Sequence, residues 1–244
     1  MVEIWSRSAL PHFRSIDRNQ KKDGIHTLYL LQLEISKAPA IIIMMTVAPL
    51  SGQNGRIPMN YKNIKKIHSG RFIHRYDVTY NLNGGGEKTY EMISFSADIH
   101  GPEELQETKA NGIILIMTDK KGEHLLLNRE FRLAADSWVY NFPAGFLEPG
   151  ESLENGGRRE LKEETGLDLI SVEDILPFSY SAVGFSNAGD ICLIGTAAGT
   201  IQKSDSELEE IEAAWYTKEQ VRTLLKTELF AGRTQAYCYM WSRK

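Results

Sequence analysis

Apolar and polar positions alternate most cleanly between Arg71 and Tyr80, where Phe72, His74, Tyr76, Val78 and Tyr80 share one side of a period-two pattern. Successive side chains of a strand leave opposite faces, so this pattern predicts a half-buried strand. Asn83-Gly84-Gly85-Gly86 reads as a turn, and Lys88 to Ala97 as the returning strand, giving a small antiparallel meander over about residues 60–100. Gly112 to Met117 is an unbroken apolar run that reads as a buried strand; Asp119-Lys120-Lys121-Gly122 is a turn, and His124 to Phe131 the return. Later strands are expected near Ile170–Tyr180, over Ile191–Ala198, and ending at Trp215-Tyr216, with closing helices over Lys218–Lys226 and Gln235–Trp241. Residues 1–58 lack this order, because the runs Thr27–Ile35 and Ile41–Val47 have strand-like content without clean alternation.

The chemistry concentrates between Gly145 and Leu167, GFLEPGESLENGGRRELKEETGL. Glu160, Glu163 and Glu164 stand at i, i+3 and i+4, so a helix places all three carboxylates on one face. Like charges so placed repel, and a hard divalent cation with oxygen ligands is the natural counterweight. Ser152 is positioned to cap the helix and Gly166 to end it in the left-handed conformation. Leu153 and Leu161 fall on another face and are expected to hold the helix on the sheet. Gly156 and Gly157 lie inside it, where each costs about 1 kcal/mol relative to Ala. Either the backbone approaches a neighbour closely there, or the helix is weakened. Most Glu-rich runs are solvated faces; the full spacing, with its two glycines and preceding loop, sets this one apart.

That spacing, Gly145, five residues, Glu151, seven residues, then Arg159-Glu160-Leu161-Lys162-Glu163-Glu164-Thr165-Gly166-Leu167, resembles the signature of the Nudix hydrolases, and every specified position is filled. The resemblance implies an α+β fold, a Nudix α/β/α sandwich with a mixed sheet, preceded by a small antiparallel N-terminal sheet. The expected organisation is an extension over 1–58, the small sheet over 59–110 and the hydrolase domain over 111–244. Mg2+, with Mn2+ as the other candidate, is expected on Glu160, Glu163, Glu164 and the backbone carbonyl of Ala144. Arg159 is expected to orient its neighbours through a salt bridge to Glu151 or Glu163.

Arg129-Glu130-Phe131-Arg132 and Asn141-Phe142-Pro143-Ala144-Gly145 resemble the ADP-ribose pyrophosphatase branch. The likeness implies that Arg132 contacts the substrate's diphosphate, the alternative being a pair with Glu130 or a surface carboxylate. In Ser204-Asp205-Ser206-Glu207-Leu208-Glu209-Glu210, Glu207 and Glu209 match best the glutamate that serves that branch as catalytic base or further metal ligand. The small sheet often builds a homodimer there by exchange, and His74, with His68 and His100, reads as a surface position of it. Val183 stands where these enzymes carry a proline, which leaves the substrate open. The expected activity is metal-dependent cleavage of a nucleoside diphosphate linked to X, foremost ADP-ribose to AMP and ribose 5-phosphate. Another sugar nucleotide or dinucleotide, or a Nudix-fold sensor that binds without hydrolysis, are the alternatives.

The remaining composition is that of an ordinary soluble globular chain: 244 residues, 42% hydrophobic and 25% charged. A net charge of -4 provides no basic footprint for nucleic acid. No apolar run approaches the length of a membrane span, and MVEIWSRSALPHF lacks the apolar core of a secretion signal. Cys192 and Cys238 are far apart and outside any metal spacing, so they read as reduced thiols in a cytoplasmic protein. Residues 1–58 hold seven Lys/Arg against four Asp/Glu, opposite in sign to the rest. Met59 begins a segment that looks like an ordinary protein start. The 1–58 extension is therefore expected to be translated only from an upstream start, with a small appended β unit as the alternative.

Overall fold

The structure, a computed structural model, describes residues 29–31, 43–45, 60–204 and 210–244. It divides into two compact units, Met1–Pro58 and Met59–Lys244. In the first, β1 (Tyr29–Leu31) and β2 (Ile43–Met45) pair antiparallel, with Tyr29 opposite Met45. These short strands fall within the two apolar runs of the extension.

The second unit begins with an antiparallel sheet of three strands, β3 (Asn60–Ser69), β4 (His74–Asn81) and β5 (Glu87–Ser94), in that order. Tyr76 and Val78 are buried on one face of β4 and pack with Met92 and Ile99, as the alternation predicts; His74, read from sequence as a surface position, is instead buried beside them, its Nδ1 3.2 Å from Ser69 Oγ. Phe72 departs from it: it precedes β4 and is 68% exposed. The extra strand β3 is invisible to a period-two search for a physical reason. Its apolar residues Tyr61, Ile64 and Ile67 recur every third position, and register shifts between Tyr61 and Asn63 and between Lys66 and His68 reset which face each side chain takes. Gly85 and Gly86, with φ of 89° and 87°, make the β4–β5 turn in a conformation that favours glycine.

After the one-turn helix α1 (Pro102–Leu105) come β6 (Gly112–Thr118), β7 (His124–Arg132), β8 (Ser137–Asn141), β9 (Ala144–Phe146) and α2 (Leu153–Thr165). The chain continues through β10 (Asp168–Tyr180), β11 (Gly189–Ala198), β12 (Ile211–Thr217), α3 (Lys218–Thr227) and α4 (Gly232–Trp241). The sheet runs β10-β11-β6-β7-β12, with β9 also on β6 and β8 also on β7. It is mixed, because β11 lies parallel to β6 while the other pairs are antiparallel.

The β6–β7 hairpin pairs only near its turn, at Thr118 and Leu125, and then opens. The chain from Ser137 to Phe146 takes up the freed edges: β8 pairs β7 from Asn128 to Arg132, and β9 pairs β6 from Gly112 to Ile114. Neither short strand is visible in the hydrophobic pattern, since Ser137–Asn141 and Ala144–Phe146 are too brief to show a period.

Both sheet faces are covered, which explains the unbroken apolar run of β6. Ile113, Leu115 and Met117 join Leu126, Leu193 and Leu161 beneath α2. Ile114 and Ile116 join Leu125, Leu127, Val221 and Cys238 beneath α3 and α4. Fully burying one such leucine contributes about 1.5–3 kcal/mol. The result is the expected α/β/α sandwich. Among the described residues no helix is long and apolar enough to cross a membrane.

Candidate active site

The glutamate helix α2 is set by its ends and by its glycines. Ser152 Oγ accepts a hydrogen bond from the Asn155 N–H at 3.3 Å, and Gly166 closes the helix with φ 75°. Gly157 resolves the question its presence raised. A Cβ there would lie 3.2 Å from both Leu115 and Leu193, so the missing side chain lets the helix settle on β6 and β11. A Cβ at Gly156 would lie 2.7 Å from the Leu147 side chain. Leu161 is fully buried on the same side, with Leu153 packed partly against it.

The opposite side of α2 faces a cleft of about 1170 Å³ lined by Glu160, Glu163 and Glu164, by Glu130 and Arg132 of β7, and by Ala144 and Gly145 of β9. Glu164 is buried; one of its oxygens, Oε2, accepts from Asn128 Nδ2 at 2.9 Å and from the Ala144 N–H at 3.2 Å. Glu160 is nearly as buried and accepts from Arg159 Nη1 at 2.8 Å. Glu163, more open, lies 3.4 Å from the same nitrogen. Arg159 also donates to both oxygens of Glu151, at 3.2 and 3.0 Å, and to the Phe146 carbonyl at 2.9 Å. Both expected partners of Arg159 are therefore engaged, with Glu160 added. A guanidinium so occupied positions its neighbours.

Burial raises the Glu164 carboxyl to about 9, with the charges of Glu130 and Glu160 next in effect. Burial also raises Glu160, against the pull of Arg159. Glu151 is lowered by its bonds from Arg159, whose own charged form those carboxylates stabilise. Carboxylates crowded in this way lack positive charge. Asn128, fully buried, also leaves its amide oxygen Oδ1 without a hydrogen-bond partner among the described residues. An oxygen-rich, anionic, incompletely satisfied donor set fits a hard cation such as magnesium, or Mn2+, and does not resemble a soft-metal site.

Arg132 donates to Glu130 Oε2 at 3.1 Å and is 58% exposed on the cleft wall, so the surface pair considered from sequence does form. Glu207 and Glu209 lie outside the described residues; Ser204 and Glu210, on either side of them, both line the cleft. Val183 is 73% exposed in a loop tied to the small sheet, where the Ile93 N–H donates to the Phe185 carbonyl at 2.8 Å and the Tyr90 hydroxyl to the Gly184 carbonyl.

Sequence reasoning missed Asn128 and considered Glu130 only as a partner for Arg132, although a signal existed: with Leu126 and Arg132 they occupy alternate positions on one side of β7. It also missed Asp190 and Arg233, which pair at 2.9 Å on the cleft wall from 43 residues apart, a contact with no local trace. A separate group, Asp119, Glu123 and His124, brings its ligand atoms within 4.8 Å at the β6–β7 turn. There Asp119 accepts from the backbone N–H groups of Glu123 and His124 and from His124 Nδ1, which is turn-closing chemistry.

Comparison with known proteins places this geometry. The chain is 34% identical over 130 residues to Nudix hydrolase 19, chloroplastic, of Arabidopsis thaliana, covering 51% of this chain and 28% of that one. It is 30% identical over 152 residues to the human 8-oxo-dGDP phosphatase NUDT18, covering 59% and 44%. It is 34% identical over 137 residues to the ADP-ribose pyrophosphatase of Saccharomyces cerevisiae, covering 54% and 55%. The chain thus spans roughly a quarter to about half of these relatives' lengths. Among solved structures, an ADP compounds hydrolase superposes with a TM-score of 0.58 at 18% identity, covering 75% of this chain and 92% of that one, a likeness of fold. The family profile described as NUDIX domain matches residues 108–238, more than half of the chain. With the signature helix, the sandwich and the carboxylate-lined cleft all in place, the chain belongs to the NUDIX family.

Proposed function

We propose that this protein is a divalent-metal-dependent pyrophosphatase that cleaves the diphosphate linkage of a nucleoside diphosphate linked to X, with ADP-ribose as the foremost substrate. The observation that carries this reading is the convergence of Glu160, Glu163 and Glu164 on one cleft, two of them buried, across from Arg132. The relative named ADP-ribose pyrophosphatase supports the choice of substrate.

In this reading Glu160, Glu163, Glu164 and the Ala144 carbonyl hold Mg2+ or Mn2+. The bound cation supplies charge neutralisation at the phosphoryl oxygens and makes the attacking water more acidic. Arg132 offers a planar fork of donors to the diphosphate. Arg159 keeps Glu160 and Glu163 aimed, held itself by Glu151 and the Phe146 carbonyl. Glu207 or Glu209 takes the proton of the attacking water as general base. Water adds to one phosphorus, the bridging P–O bond breaks, and ADP-ribose yields AMP and ribose 5-phosphate.

A substrate panel with Mg2+, resolved by chromatography, tests this: ADP-ribose, sugar nucleotides, NADH, 8-oxo-dGDP and nucleoside triphosphates, with Glu164→Gln as the control. Release of AMP from ADP-ribose, lost in the variant, is expected. Preferential cleavage of another member moves the substrate and keeps the reaction. Binding of ADP-ribose with no cleavage of anything overturns the enzymatic reading.

The same reading includes a homodimer formed through the small sheet, supported by exposed Ile67, Phe72, Ile73 and Tyr90 on or beside it. A monomer mass by light scattering would end that part. The free thiols Cys192 and Cys238 support a reducing compartment, the cytoplasm.

A further inference from the structure

The wall opposite α2 carries an acid that the signature does not contain. Along one side of β7, Leu126 enters the core with Leu161, Asn128 bonds Glu164, and Glu130 and Arg132 reach the cleft. Glu130 is only 5% exposed and stands with Glu160, Glu163 and Glu164 around the same space. Beside it on the strand, the Asn128 amide places its nitrogen on Glu164 and leaves its buried oxygen without a hydrogen-bond partner among the described residues.

Glu130 Oε2 accepts from Arg132 Nη1 at 3.1 Å, and the arginine is largely in solvent. On the arginine's side this pair is open to competition from water and salt. A small, doubly charged ion with a preference for oxygen competes with that guanidinium on favourable terms. Arg132, for its part, presents a fork suited to a diphosphate as soon as its carboxylate partner turns away.

We propose, on the metal-dependent reading above, that Glu130 is a further carboxylate ligand for the site's divalent cation, and that it exchanges Arg132 for the cation on loading, which releases Arg132 to the substrate's diphosphate. Metal binding and substrate binding are thereby coupled through one strand, with both partners two residues apart on its cleft-facing side. A purely structural Glu130, there to anchor Arg132, has no effect on metal affinity.

The test titrates Mn2+ into the full metal-free chain without substrate and follows free Mn2+ by electron paramagnetic resonance. The proteins are wild type, Glu130→Gln, Arg132→Ala and Glu164→Gln, each checked for folding by circular dichroism. Glu130→Gln is expected to weaken Mn2+ binding at least about tenfold. Arg132→Ala is expected to tighten it several-fold, because the competing partner is gone. Glu130→Gln binding Mn2+ as wild type does, while Glu164→Gln loses it, overturns this inference alone. Should Glu130→Gln not fold, unchanged or weaker binding by Arg132→Ala overturns it. Wild-type protein that binds no Mn2+ overturns the metal-dependent reading itself.

Discussion

The carboxyl group of Glu160 occupies the place where a side chain on Gly145 would begin: a Cβ built on Gly145 lies 1.9 Å from Glu160 Cδ. The signature's first glycine and its first metal-facing glutamate, fifteen positions apart, are therefore two halves of one contact. The glycine leaves room for the acid to lie against the backbone of β9.

Gly145→Ala follows directly. The glutamate is flexible and can swing away, but only by leaving its 2.8 Å bond to Arg159. Stability should fall by about 1.5–3 kcal/mol, the range for a charged hydrogen bond, while turnover falls by at least about tenfold through the misplaced carboxylate. Urea denaturation alongside steady-state kinetics checks both; full activity would mean that Glu160 is not needed where it lies.

Gly157 separates packing from helix propensity. Alanine gains about 1 kcal/mol of propensity in a helix interior, set against contacts of 3.2 Å with Leu115 and Leu193. Gly157→Ala should be close to neutral. Gly157→Leu should cost about 1–3 kcal/mol by overpacking, read as a lower urea midpoint. Equal stability for both variants would show that α2 does not press on β6 and β11.

The Glu164 carboxyl makes the metal-free protein sensitive to pH. Its folded-state value, about 9, lies above the ordinary 4.5, so the folded chain holds a proton that the unfolded chain has given up. The contribution is fully present below pH 4.5 and declines as pH rises toward about 9. Metal-free protein should lose melting temperature across that window, and Glu164→Gln should flatten the decline. Since a metal-binding carboxylate must be ionised, loading at pH 7.5 should release about one proton. Calorimetry in two buffers of different ionisation enthalpy measures it.

Arg132→Ala at saturating metal should raise KM with a smaller change in kcat, as expected for a group that grips the ground-state diphosphate. An unchanged KM would confine Arg132 to its pair with Glu130.

What was legible in the sequence was whatever short-range spacing encodes. The carboxylate face of α2, its Ser152 cap and its Gly166 end all sit within four residues of what they act on or through, so local geometry determined them. The alternation of β4 and the doubly buried run of β6 are local in the same way. The pairing of Arg159 with Glu163 also belongs here, because the two share one helix a turn apart, whereas its bond to Glu160 was not expected. The strand β3 escaped, because bulges broke the period on which its recognition depends, and β8 and β9 are too short to have one.

Only the tertiary structure decided what meets across the chain. Asn128 reaches Glu164 over 36 positions, and Arg233 reaches Asp190 over 43. The opened β6–β7 hairpin brings Ala144 beneath the glutamates; the leucines of β6 and β11 explain Gly157, and Leu147 explains Gly156. Spacing along a chain determines which side chains share a helix or strand face. The burial that shifts the Glu164 carboxyl, and the approach of Glu130 from another element, arise only when separate segments exclude water together.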